Sequence, residues 1–221
     1  MTDLGPYSLD TIVVGDCLDV MRQMPDGCVD AVITDPPYNV GIQYGNSDDD
    51  RLDYPEWCTA WFTGLQGLRP KAIAVSVGQA NLSEWARIAP PDWWLAWWKP
   101  AAMGRCVVGF NNWEPIAFYG KPTRAMCDVI RATIKPDADL EGHPCPKPLE
   151  WATQQIERLS APGDLIFDPF MGSGTTAVTA KKLGRHYFGC DISEEYVKLA
   201  RERVAKIDGV QMPLSYTEME D

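Results

Sequence analysis

Histidine is almost missing from this chain: His143 and His186 are the two in 221 residues. An imidazole-built metal site is therefore not expected. Seven cysteines occur, at 17, 28, 58, 106, 127, 145 and 190, with no C-x-x-C pair. The odd count points to free thiols and a reducing compartment. No apolar run reaches membrane-spanning length, and no basic-plus-apolar leader opens the sequence, so the chain reads as soluble and cytoplasmic. Net positive charge is lacking too. At −11 the protein is not one that coats nucleic acid with its whole surface. The exception is residues 99–135, where six Lys/Arg face two acids, a local +4 on a body that otherwise carries −15. Such a segment is either an ordinary solvated surface or the one place that meets phosphates.

What is present reads as α/β. Short apolar runs alternate with helical stretches, the pattern of βαβ units around a largely parallel sheet. Strands are expected at 11–16, 29–35, 71–77, 165–170 and 185–191, and helices at 17–24, 55–68, 81–89, 148–160, 175–184 and 193–207. Residues 39–53 read as a long loop. The run "DWWLAWWKP" puts four Trp within six residues, which suits either a doubly buried strand or a base-stacking platform. "RCVVGF" and "EPIAFYG" read as two further strands, an antiparallel hairpin at one sheet edge. Residues 121–146 have no strong pattern. With 221 residues, one domain spanning 1–221 is the expectation.

Two loops carry the chemistry. "FDPFMGSGTTA" (167–177) runs strand, glycine-rich turn, helix, which lets a ligand approach backbone and helix N-terminus. No Lys follows Gly174, so it is not a phosphate-cradling P-loop, and the G-x-G-x-x-G fingerprint is incomplete. Asp168 before the turn would repel a pyrophosphate but suits an ammonium and a sulfonium, both carried by S-adenosylmethionine. Asp191, at the end of the next strand, stands where doubly wound folds grip ribose, and Asp16 ends another strand. The second loop is "TDPPYNVG" (34–41), a stiff corner after an apolar strand. There the Asp35 carboxylate and the Pro36 carbonyl can accept both N–H bonds of an exocyclic amine, freeing its lone pair. Pro36 and Pro37 preset the backbone, and Tyr38 can stack on the base. A base in a duplex must be flipped out to reach such a corner.

"DPPYNVG" followed by "DPFMGSGTT", with "GDCLDVM", "HPCPKPLEW" and "GRHYFGCDIS", resembles the DNA amino-methyltransferases in their permuted β group, over most of residues 9–205. The resemblance implies a seven-stranded, mostly parallel sheet with helices on both faces, a Rossmann-like S-adenosylmethionine-dependent methyltransferase fold. It implies that Asp35, Pro36, Pro37 and Tyr38 are catalytic. Asp168, Phe170, Gly172, Ser173, Gly174 and Thr175 would hold the methionine part of S-adenosylmethionine, Asp191 the ribose, and Asp16 with Cys17 the adenine; His143 and Lys147 would lie beside the cofactor. Residues 122–142 correspond to the place of target recognition, unusually short here. Asp191 stands where Glu is common and Pro146 where Gln is usual. The implied partner is DNA, with a homodimer plausible by analogy. Asp35 at the head of the corner favours N6 of adenine over N4 of cytosine as the target. An RNA or protein amine, or an inactive cofactor-binding module, are the remaining readings.

Overall fold

A computed structural model describes residues 3–41, 43–44, 47–48, 50–100, 102, 104–134 and 147–207. In chain order the elements are β1 (Thr11–Val14), α1 (Cys17–Met21), β2 (Ala31–Thr34), β3 (Gln43–Tyr44), β4 (Ser47–Asp48), α2 (Tyr54–Gly67), β5 (Ala72–Ser76), a 3₁₀ turn (Gln79–Asn81), α3 (Leu82–Ile88), β6 (Trp93–Trp98), β7 (Gly104–Cys106), β8 (Gly109–Asn111), β9 (Trp113–Gly120), β10 (Val129–Arg131), α4 (Leu149–Leu159), β11 (Leu165–Asp168), α5 (Thr175–Lys182), β12 (His186–Asp191) and α6 (Glu194–Ala205).

The main sheet has the order β1-β12-β11-β2-β5-β9-β6-β10. Neighbours pair in parallel except where β9 pairs antiparallel with β5 and β6, so β9 alone runs against the rest. Strands alternate their side chains between two cores. Ile33, Ile166 and Ala74 join Trp151, Ile156, Val178 and Val197 of α4, α5 and α6 on one face. Val32, Phe167 and Ile73 join Val20, Trp61, Leu65 and Trp85 of α1, α2 and α3 on the other. Every residue of β2, β5 and β11 is buried. At about 1.5–3 kcal/mol for each fully buried large apolar side chain, these central strands anchor the loops at their ends.

The eight strands exceed the seven expected, by the short edge strand β10, which lies in the stretch 121–146 where no pattern was visible. The expected edge hairpin is overturned. Gly104–Asn111 folds back on itself as the separate β7–β8 ribbon, with Gly109 at φ 128° in the reversal, a conformation that side chains resist. β9 lies inside the sheet instead. Residues 39–53, read as a loop, contain the short β3–β4 pair. The tryptophan run divides by strand alternation. Trp97 is buried at 1%, while Trp93 and Trp98 are 60% and 38% exposed. Of the short recognition stretch, 135–142 lie outside the described residues, as does His143.

Candidate active site

Each of four consecutive parallel strands ends in, or within two residues of, an aspartate. Across the sheet from its β1 edge these are Asp16, Asp191, Asp168 and Asp35. The connections diverge between β11 and β2. From β11 the chain crosses by α5 to β12, and from β2 it crosses by α2 to β5. Crevices at such switch points, outside the carboxyl ends of the strands, are where open α/β sheets bind ligands. Here the crevice is an open cleft of about 1130 Å³, counting the solvent at its mouth, and its walls include both signature loops. Asp16, Cys17, Asp35, Pro37, Lys147, Asp168, Phe170, Gly172, Ser173, Thr175 and Asp191 all line it. Pro36 is buried beneath the corner. Gly174 serves the backbone: at φ 85° it starts α5, and a Cβ there would lie 2.7 Å from Ala200 Cβ.

The glycine loop is held by its acids. Asp168 Oδ1 accepts from Thr34 Oγ1 at 2.8 Å and from the Phe170 N–H at 3.1 Å, and Oδ2 accepts from Thr176 Oγ1 at 2.7 Å. Burial pushes its carboxyl up to about 7, against these donors. A buried carboxyl that cannot easily bear its charge fits a ligand that brings an ammonium. Asp191 takes the N–H groups of Gly172 and Ser193 at 2.8 and 2.9 Å, which ties the glycine turn to the start of α6. Burial raises its carboxyl as well. Asp16 caps α1 through the Leu18 N–H at 2.8 Å. Burial, then Asp16, push the Cys17 thiol up to about 12, so it is a packing group rather than a thiolate nucleophile. Trp57 meets Phe170 edge-on with centroids 5.5 Å apart, and the Arg51 guanidinium lies 5.2 Å from the Trp57 ring centroid. Arg51 and Trp57 therefore add an aromatic, cationic wall that sequence motifs did not signal.

The proline corner is pinned on several sides. Tyr54 Oη donates to the Pro37 carbonyl at 3.0 Å, and Asn81 Nδ2 donates to the Tyr38 carbonyl. The Tyr38 ring lies so close to Gly78 that a Cβ there would sit 3.0 Å from Tyr38 Cγ. Tyr38 Oη donates to Asp35 Oδ1 at 2.5 Å, and Lys147 Nζ lies 3.0 Å from Asp35 Oδ2. Burial raises the Asp35 carboxyl, with Lys147 pulling the other way. Lys147 Nζ also lies 5.4 Å from the Tyr38 ring centroid, so an ammonium shares the face expected to stack on a base. Glu114 was not anticipated. It reaches Lys147 from β9 with Oε2 at 3.3 Å, while Lys99 Nζ holds its Oε1 at 2.6 Å. The available signal was an acid inside the aromatic run "WEPIAFY". Among the described residues, no cluster of three His, Cys, Asp or Glu is placed to hold a metal, and no helix is long and apolar enough to cross a membrane.

Known proteins resemble the chain in sequence and in fold. A family model described as DNA methylase, of the N6/N4 type, matches residues 128–202. "Putative methylase YubD" of Escherichia coli (strain K12) is 30% identical over 90% of this chain and 92% of its own length. The solved PvuII DNA methyltransferase (cytosine-N4-specific) superposes with a TM-score of 0.73 at 16% identity, over 91% of this chain and 88% of that one. The M1.HpyAVI–SAM complex does so with 0.67 at 23%, over 88% and 98%. With its two signature loops in one cleft and a full-length relative at this identity, the chain belongs to the N6/N4 DNA methylase family.

Proposed function

We propose that the protein transfers a methyl group from S-adenosylmethionine to the N6 amine of an adenine flipped out of DNA. The observation that carries this is that Asp35 and Gly172, 137 positions apart in the chain, line one cleft. The cleft fits the cofactor: Asp168 would hold its ammonium, the Gly172–Gly174 turn its methionine part, Asp191 its ribose, and Asp16 with Cys17 its adenine. When bound, it supplies a methyl whose carbon accepts a nitrogen lone pair while the C–S electron pair stays on sulfur. The chain's own part is to present the amine. Asp35 and the Pro36 carbonyl would accept its N–H bonds, which would free the nitrogen lone pair for the methyl carbon. The corner's pinned carbonyls keep the acceptors from reorganising. Asp35 then receives the proton that the methylated nitrogen gives up.

DNA meets the basic segment beside the cleft. Arg131 stacks 5.0 Å from the Trp98 ring centroid and Arg105 5.6 Å from that of Phe110. Trp98 and Trp113 are cross-strand partners, both partly exposed, and the ribbon tip Val107–Val108 is fully exposed. Exposed aromatics capped by guanidinium groups suit bases and phosphates together. The test is transfer of labelled methyl to plasmid DNA, followed by digestion to nucleosides and mass spectrometry. N6-methyladenine is expected from wild type, with a loss of about 10³-fold in Asp35→Ala. The likeness to a cytosine-N4 enzyme supports a second reading, and N4-methylcytosine as the sole product would replace the first with it.

A further inference from the structure

Four charges at and behind the corner, Lys99 buried and the other three half-buried, form an alternating chain, Lys99–Glu114–Lys147–Asp35, with N···O separations of 2.6, 3.3 and 3.0 Å. They come from four places: the end of β6, the start of β9, the entry to α4 and the corner after β2. Both ammonium groups rest on the buried indole of Trp97, at 5.3 and 5.1 Å from its centroid. Asp35 and Lys147 line the cleft, whereas Glu114 and Lys99 lie behind it. Both oxygens of Asp35 are already engaged, Oδ1 by the Tyr38 hydroxyl and Oδ2 by Lys147. An amine that needs a carboxylate oxygen must compete for one of them. The Tyr38 hydroxyl has a second acceptor in reach, since Glu114 Oε2 lies 3.4 Å away.

We propose that Glu114 is a positioning residue for methyl transfer. It shares the Lys147 ammonium with Asp35 and takes over the Tyr38 hydroxyl, which leaves Asp35 Oδ1 to the substrate amine. This rests on the methyltransferase reading of the same cleft. Without the Glu114 charge, Lys147 would bear on Asp35 alone, and Asp35 would become a weaker acceptor of hydrogen bonds and of the proton. The charged and titratable groups that face Asp35 are Tyr38 from its own loop, Lys147 before α4, Glu114 on β9 and Asp168 on β11. Burial works against the charge on Glu114, yet Lys147 and Lys99 outweigh it and hold its carboxyl below the usual range. Burial likewise opposes the Lys147 charge, and Asp35 with Glu114 outweigh it. Glu114 is therefore an anion across the working pH range, and its field raises the Asp35 carboxyl.

The experiment compares wild type with Glu114→Gln, which keeps the shape and one acceptor oxygen but removes the charge. The Asp35 carboxyl is titrated by carbon NMR of protein labelled at the aspartate carboxyl carbons, assigned with Asp35→Asn, and methyl transfer is measured in parallel. A fall of about one pH unit or more in the Asp35 midpoint is expected, because a charge at this range acts through a poorly screened interior. In the same variant kcat should drop by about 10- to 100-fold, with cofactor Kd held within about threefold. An unchanged midpoint with kcat within about twofold of an active wild type overturns the positioning role and leaves the methyltransferase reading intact. A lowered midpoint in a protein that methylates no DNA upholds the charge coupling and rejects the methyltransferase reading instead. Glu114→Asp, which restores the charge on a shorter arm, should recover the midpoint more than the rate.

Discussion

Asp168→Asn should make the protein more stable at neutral pH while removing its hold on the cofactor. Asp168 is 3% exposed, and its folded carboxyl titrates near 7 because burial disfavours the charge. Its ordinary value is 3.8. Between those two values the folded protein keeps a proton that the unfolded chain has lost, so stability falls as pH rises through this window. At about 1.4 kcal/mol for each tenfold in proton affinity, the full cost above pH 7 is roughly 4 kcal/mol. Asparagine carries no such cost. It keeps the acceptor for Thr34 and for the Phe170 N–H, and the Thr176 hydroxyl can rotate to accept from the new amide. Imperfect geometry there should consume about half the gain. A net of about 2 kcal/mol at pH 8 would raise Tm by about 4–8 °C in a chain of this size.

The sharper quantity is the change with pH, since it is free of that offset. The stability gap between the Asp168→Asn variant and wild type should widen by about 2.5 kcal/mol from pH 5 to pH 7.5, measured by urea unfolding across a pH series. A gap that stays constant would mean that Asp168 is ionised well below pH 5, and would refute the burial argument. Cofactor binding reports the same group from the other side. A ligand ammonium favours the ionised carboxylate, so binding to wild type near pH 6 should release most of one proton. Calorimetry in two buffers of different ionisation enthalpy measures that release, and Asp168→Asn should abolish it with the binding.

Two further outcomes follow from packing and from charge. Gly174→Ala forces a Cβ within 2.7 Å of Ala200 and a side chain onto φ 85°. It should cost about 2–4 kcal/mol, seen as a lower Tm, and Ala200→Gly should recover only a fraction of it, because the added Cβ would still lie 2.9 Å from the Ala200 Cα. Arg131→Ala should weaken binding to a DNA duplex and reduce the salt slope of log K by about one, with cofactor affinity unchanged. A slope equal to wild type in an anisotropy titration across salt concentrations would take Arg131 off the DNA surface.

What could be read from the sequence was what is local along the chain. Asp35 to Tyr38 and Asp168 to Thr175 are short loops whose members are near neighbours in the chain, so a motif can spell them. The strands that carry them are continuous apolar runs. The alternation of strands and helices likewise follows from turn residues and period, and it delivered the parallel half of the sheet. β9 escaped because nothing local tells an inner antiparallel strand from an edge one. Its place follows from pairing with β5 and β6, which lie about forty and twenty residues earlier. β10 escaped because three residues have no period. The Trp run was ambiguous because alternation fixes that two faces differ, and not which face meets solvent.

Glu114 escaped for the same reason as β9, and the two are connected. A strand that reverses direction beside β5 starts at the carboxyl ends of the parallel strands instead of ending there. It can therefore place a strand side chain next to a loop residue 79 positions earlier in the chain, at Asp35, and next to another 33 positions later, at Lys147. The parallel strands supply the cleft with backbone ends and acids, the parts that a short motif can encode. The reversed strand supplies Glu114, which competes with Asp35 for the Lys147 ammonium. The half of the sheet that carries no signature motif thus adds a charge beside the half that does. The Asp35 midpoint should therefore respond to a charge change on β9 more strongly than to one at Asp16, which lines the same cleft from the far strand β1.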